Sequence, residues 1–204
     1  IKAMCLKPIT TLRVLFCKQQ LNELSKHISY INECGYKIIL SPIDIYDYND
    51  IDYKILLEKS KLIDNCSVFF QDSIGNFKDK EIDNIINMSQ LFSANKIAIF
   101  FHLKNSLQFG MHNMIKITKS FLHKIFICCS LKGICEINSN LDSESVLFYL
   151  NQYYLKEYNI NNLLEISEQI FQKISEKHFN YLNNNFISAK NNCSNKYVKY
   201  LKEN

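Results

Sequence analysis

The chain has 204 residues, 47% of them hydrophobic, and a formal net charge of +4. That length holds one large domain or two small ones, and the apolar content excludes a disordered chain. The modest charge argues against a nucleic-acid groove, because Arg13 is the only arginine and the lysines are spread through every segment rather than gathered on one face.

The apolar run from Leu12 to Cys17 predicts a buried strand. Leu21, Leu24, Ile28 and Ile31 recur at helical spacing, and Gly35 follows where a helix would need a C-terminal cap. Tyr36 to Leu40 predicts a second strand, closed by Pro42, and Asp50 to Ile63 a helix. Ser67 to Phe70 is the third strand, Lys80 to Phe92 a helix, and Lys96 to Phe101 the fourth strand. Met111 to Leu122 predicts a helix, Lys124 to Cys129 the fifth strand, and Ser143 to Tyr154 a helix with Ser143 or Asp142 as N-cap. Leu163, Ile166, Ile170, Ile174 and Tyr181 mark one amphipathic helix.

Short apolar runs alternating with helices give an α/β class. The expected architecture is a mostly parallel, doubly wound (flavodoxin-like) sheet of about five strands flanked by helices, with a C-terminal amphipathic helix. The expected segments are 1–45, a first β-α-β piece of one α/β domain; 46–158, an α/β domain; 159–185, the amphipathic helix; and 186–204, a loose Asn-rich tail.

Four glycines leave no GxGxxG, GxxxxGK[ST] or GxSxG signature, which excludes the common dinucleotide, P-loop and hydrolase patterns. The eight cysteines form no C-x-x-C pair and, like His102, His112 and His123, match no metal spacing, so no metal or cofactor is expected. Reduced thiols and a cytoplasmic location follow as expectations. The opening residues do not resemble a signal peptide, and no run reaches the length of a membrane span. Asp72 and Glu81 offer two carboxylates near a strand end, and Tyr149, Tyr153 and Tyr154 cluster on one helix; solvation and packing account for these as readily as chemistry. The best local candidate is the turn after the third strand, where Ser73 and the amides of Ile74 and Gly75 could hold a carboxylate or phosphate. A simple N-cap is the competing reading.

The order of these features resembles the N-terminal part of the uroporphyrinogen-III synthase family over about two thirds of the chain. The resemblance is carried by Arg13 to Gln19, Gly35, Tyr36 to Pro42, Ile43 to Ile45, Val68 to Phe77, and the Asp-Ser-Glu element within Leu141 to Leu150. Cys17, Lys18 and Gln19 replace the family's Thr-Arg-Pro turn, and His102 takes a threonine position. The resemblance implies a cofactor-free lyase closing the linear tetrapyrrole hydroxymethylbilane to uroporphyrinogen III, in heme biosynthesis. It implies a monomer without nucleic-acid or membrane partners. Lys18, Ser73, Ile74, Gly75 and His102 would bind the polycarboxylate substrate, with no catalytic residue assigned. A nucleoside deoxyribosyltransferase or TIR-like N-glycosyl enzyme using Glu81, and a non-catalytic α/β scaffold docking through the 161–182 helix, are the alternatives.

Overall fold

The computed structural model describes residues 11–121, 124–135 and 139–203, with 171–183, 195 and 203 described by their backbone alone. Expectations on Cys5, Leu122 and His123, and on the side chains of Ile174 and Tyr181, lie outside the described residues. The order is β1 (Thr11–Phe16), α1 (Leu24–Glu33), β2 (Lys37–Pro42), α2 (Asp50–Lys61), β3 (Ser67–Gln71), α3 (Asp79–Ala94), β4 (Ala98–His102), α4 (Phe109–Ser120), β5 (Ile125–Cys128), α5 (Ser143–Tyr154), α6 (Ile160–Lys190) and α7 (Asn195–Glu203).

The α/β class and the mostly parallel five-stranded sheet with flanking helices are as the apolar runs predict. The strands lie side by side in chain order, β1-β2-β3-β4-β5, so the strand order never reverses. β1 pairs with β2 from Thr11↔Lys37 to Phe16↔Pro42, and β2 with β3 through Ile39↔Ser67 and Leu40↔Val68.

Period-two alternation sorts the strand side chains onto two faces. Ile38, Leu40, Val68, Phe70, Ile99 and Phe101 share one face and are at most 1% exposed. That face meets helices. Phe70 lies 6.3 Å from the Tyr53 ring of α2 and 5.8 Å, edge-on, from Phe92 of α3. The other face carries a row of stacked rings, Phe69 with Phe100 at 6.1 Å and Phe100 with Phe126 at 4.4 Å.

Helix ends follow local chemistry. Gly35, at φ 77°, closes α1 by donating its N–H to Asn32 O at 2.8 Å. The Asn49 side chain caps α2, accepting from the amides of Ile51 and Asp52, while Asp52 Oδ2 accepts from Asn49 N. Asp142 caps α5, accepting from Ser145 N at 2.7 Å.

Two expectations need correction. First, no boundary falls near residue 45, because β2 is hydrogen-bonded into one sheet with both β1 and β3. Cα packing divides the chain instead into one unit drawn from 1–71, 80–101 and 117–126, and another from 72–79, 102–116 and 127–204. Second, residues 186–204 are no loose tail. α6 runs to Lys190, Asn192 takes a left-handed turn at φ 49°, and α7 follows with Val198 only 5% exposed. Asparagine tolerates that left-handed conformation, so the Asn-rich stretch serves as a corner between helices. The apolar stripe of α6 is only partly covered, with Ile166 and Ile170 50% and 39% exposed.

Candidate functional site

In the first unit, Lys18 stands just beyond β1. Its Nζ lies 2.7 Å from Asp52 Oδ2 and donates to Asp47 O at 3.1 Å. Burial pushes the Asp52 carboxyl up, but the Lys18 ammonium and the Asn49 amide outweigh it and hold the acid below its ordinary range. Lys18 is therefore engaged at the start of α2. Glu81 Oε2 is buried and has no hydrogen-bond partner among the described residues.

In the second unit, the turn after β3 is organised by Asp72. Its side chain is 2% exposed. Oδ1 accepts the amides of Ile74 (3.3 Å), Gly75 (2.7 Å) and Asn76 (3.2 Å), and Oδ2 accepts Phe77 N at 3.2 Å. Burial pushes this acid up while the four amides pull it down, and burial prevails. The same Asp72 continues the ladder through its own amide, 2.9 Å from His102 O. Gly75 is required here, because its φ is 86° and a Cβ would sit 3.0 Å from Ser106 Cβ and backbone N. This corrects the expectation for Ile74 and Gly75. Their amides already have an acceptor in the chain's own carboxylate. Ser73 is half-buried on the same turn.

The structure gathers a different constellation at the carboxyl end of β4. His102 ends that strand, and its Nε2 lies 3.1 Å from Asn140 Oδ1. Two residues on, the Lys104 side chain is buried, and Nζ donates to the same Asn140 Oδ1 at 2.7 Å and to Cys135 Sγ at 3.2 Å. An amide oxygen only accepts, so His102 carries its proton on Nε2. Asn140 is oriented from its other end, where Nδ2 donates to Ser130 Oγ at 3.1 Å, and Ser130 in turn donates to Ile134 O at 2.9 Å.

Backbone stitching holds this cluster in place. Lys104 and Asn140 form an antiparallel bridge, and Asn105 N donates to Ser139 O at 2.7 Å. Asn140 N donates to Gly133 O at 3.0 Å. Gly133 has φ 64°, and a Cβ on it would stand 2.8 Å from Asn140 O. A polar cavity of about 320 Å³ adjoins the cluster, lined by Asn140 together with Asn105, Gln108, Lys132, Asp142 and Glu144. The Glu144 carboxylate accepts Lys132 N through both oxygens, and Lys132 Nζ pairs with Glu168 at 2.8 Å. A larger, mostly apolar cavity of about 510 Å³ is lined by Phe148, Tyr149 and Tyr153 of α5. Ser73 lines neither cavity.

Sequence reasoning singled out His102 and missed Lys104, Asn140, Cys135 and Ser130. The available signal was the His102-Leu-Lys104 alternation at a strand end, which puts both polar side chains on one side. Among the described residues, no group of three His, Cys, Asp or Glu could hold a metal ion, and no helix is long and apolar enough to cross a membrane.

No protein-family model matches the chain, and no curated protein matches it. Solved structures do. The chain is similar to the N-terminal domain of a Bacteroides vulgatus protein described as a candidate aldolase, at 21% identity and TM-score 0.75 over 94% of this chain. It spans 63% of that structure's length. It is also similar to pyruvate carboxylase from Rhizobium etli, at 12% identity and TM-score 0.63, over 85% of this chain and 18% of that one. The carboxyl transferase domain of the same enzyme, solved with pyruvate, matches at 14% identity and TM-score 0.62, over 92% of this chain and 31% of that one. At these identities the likeness establishes the fold.

Proposed function

We propose that this chain binds a small 2-oxo acid and makes or breaks a carbon–carbon bond at the carbon α to its carbonyl, using the cluster around Lys104. The observation that carries the reading is a buried lysine ammonium and a protonated His102 Nε2 aimed at one amide oxygen, Asn140 Oδ1, at a strand's carboxyl end. Parallel α/β proteins place their sites at such ends. The structural neighbours add a carbonyl theme, since their descriptions name an aldolase and a carboxylase solved with pyruvate.

The chemistry is electrostatic. When the bond from the α-carbon to the β-carbon breaks, its electron pair stays on the α-carbon, enters the carbonyl system, and charge gathers on the oxygen as an enolate. Two N–H donors converging on one oxygen are suited to hold that charge. Asn140 Oδ1 occupies the accepting position, and a substrate oxygen would take its place. The cavity of about 320 Å³ beside Asn140, which Lys104 and His102 do not themselves line, suits a molecule of pyruvate's size better than a tetrapyrrole. The tetrapyrrole reading also loses two of its anchors, since Asp72 takes the amides of Ile74 and Gly75.

The test is pyruvate release from 4-hydroxy-2-oxo acids, read with a coupled dehydrogenase, alongside calorimetric binding of pyruvate. We expect Lys104→Met to cut turnover by about 10²–10³-fold, the usual loss on deleting one such donor. Wild-type protein that neither binds pyruvate nor releases it would end the reading.

A further inference from the structure

The apolar cavity of about 510 Å³ lies wholly within the second unit, and the Lys104 reading leaves it unused. Three helices line it: α4 through Met111, α5 through Glu144, Phe148, Tyr149 and Tyr153, and α6 through Leu164. Its aromatic wall is not packed away. Phe148 and Tyr153 are 56% and 69% exposed, and the Tyr149 and Tyr153 rings stand 4.8 Å apart, tilted by 35°. Aromatic ring faces carry negative charge density and attract cations.

One acid stands among these apolar residues. Glu144 is 9% exposed. Its carboxylate accepts a single N–H, that of Lys132, shared between its two oxygens at 3.0 and 3.2 Å. A carboxylate offers about four accepting positions, so most of this one's capacity is unused among the described residues. The nearby Lys132 ammonium is held by Glu168 at 2.8 Å, and it answers Glu144 and Asp142 only at longer range. These three carboxylates draw on that one ammonium. A buried acid short of positive charge, bordered by aromatic rings, is complementary to an ammonium carried on an apolar body.

We infer that this cavity binds a small organic cation, a primary ammonium with an aryl or alkyl body, its charge on the Glu144 carboxylate and its apolar part among Phe148, Tyr153 and Leu164. A purely structural Glu144 is the competing account, since an acid in the first turn of α5 suits the helix dipole and this one also pins Lys132 N. The two accounts differ in whether a ligand's charge matters.

The probes are 2-phenylethylammonium, the uncharged 2-phenylethanol and the anionic 3-phenylpropanoate, each titrated calorimetrically into the full chain at pH 7. The expected result is saturable binding of the ammonium, the alcohol weaker by about tenfold, and no detectable binding of the carboxylate. Glu144→Gln keeps the side chain's shape and an oxygen for Lys132 N while removing the charge. It should weaken the ammonium by about tenfold and leave the alcohol unchanged. Methyl labelling of methionine places the ligand, because Met111 lines the cavity and is one of four methionines. Its signal, assigned through Met111→Leu, should shift as the ammonium is added. No binding of the ammonium at about 10 mM, equal binding of ammonium and alcohol, or an unmoved Met111 signal would overturn the inference. So would a Glu144→Gln variant that binds the ammonium as tightly as the wild type. The three-probe comparison uses the unmutated chain, so it decides the question even where a substitution disturbs folding.

Discussion

Asp72 sets the local energetics of the β3 turn. Four amides converge on one enclosed carboxylate, so removing it strands donors where water is scarce. Asp72→Ala should cost about 3 kcal/mol in urea unfolding, the scale of uncompensated buried donors. Because burial lifts this acid above its ordinary value, the folded state holds the proton more firmly than the unfolded chain. Its stabilising share is full below the unfolded value of about 3.9 and falls as pH rises through the raised folded value. Wild type measured against Asp72→Asn across that window should therefore lose relative stability with rising pH; a flat difference would contradict the burial argument. Cys66 shows the same effect on a thiol. Burial pushes it up to about 12, with only Ser60 pulling it down. Iodoacetamide at pH 8 should label it last among the described cysteines, as read by peptide mass spectrometry. Neither behaviour was visible in the sequence. Asp72 reads there, with Glu81, as one of two carboxylates near a strand end, and only backbone curvature turns its carboxylate toward the following amides.

At the scale of elements, sequence periodicity located all five strands within a residue or two. Continuous apolar runs such as Val68 to Phe70 have no other stable use than a sheet covered on one face and stacked on the other. It failed beyond residue 185, where many asparagines suggested a tail. The sparse apolar residues there are well spaced, and Ala189 and Val198 are both buried. A chain ending at residue 185 should accordingly melt several degrees lower than the full one by differential scanning calorimetry. The β3 turn gives a second check. Gly75→Ala combines a positive φ with a 3.0 Å approach to Ser106, and a loss of about 1–3 kcal/mol is expected. The Lys104 cluster was illegible for a reason of topology. Asn140 is 36 residues from Lys104 in sequence, and only the stitching of the loop after β4 onto the segment after β5 brings them together.

For the whole molecule, the two compact units are woven from alternating stretches of chain. The thread passes from one to the other after residues 71, 79, 101, 116 and 126. No single cut can release either unit whole. On a ribosome, the first unit lacks its last stretch until residue 126 has emerged, and by then two of the three pieces of the second are already outside. Early, autonomous folding of an N-terminal half is closed to such a chain, and much of its consolidation must wait for late-arriving partners. Synthesis slowed near that point should leave a nascent chain unusually open to proteases and in need of chaperone cover.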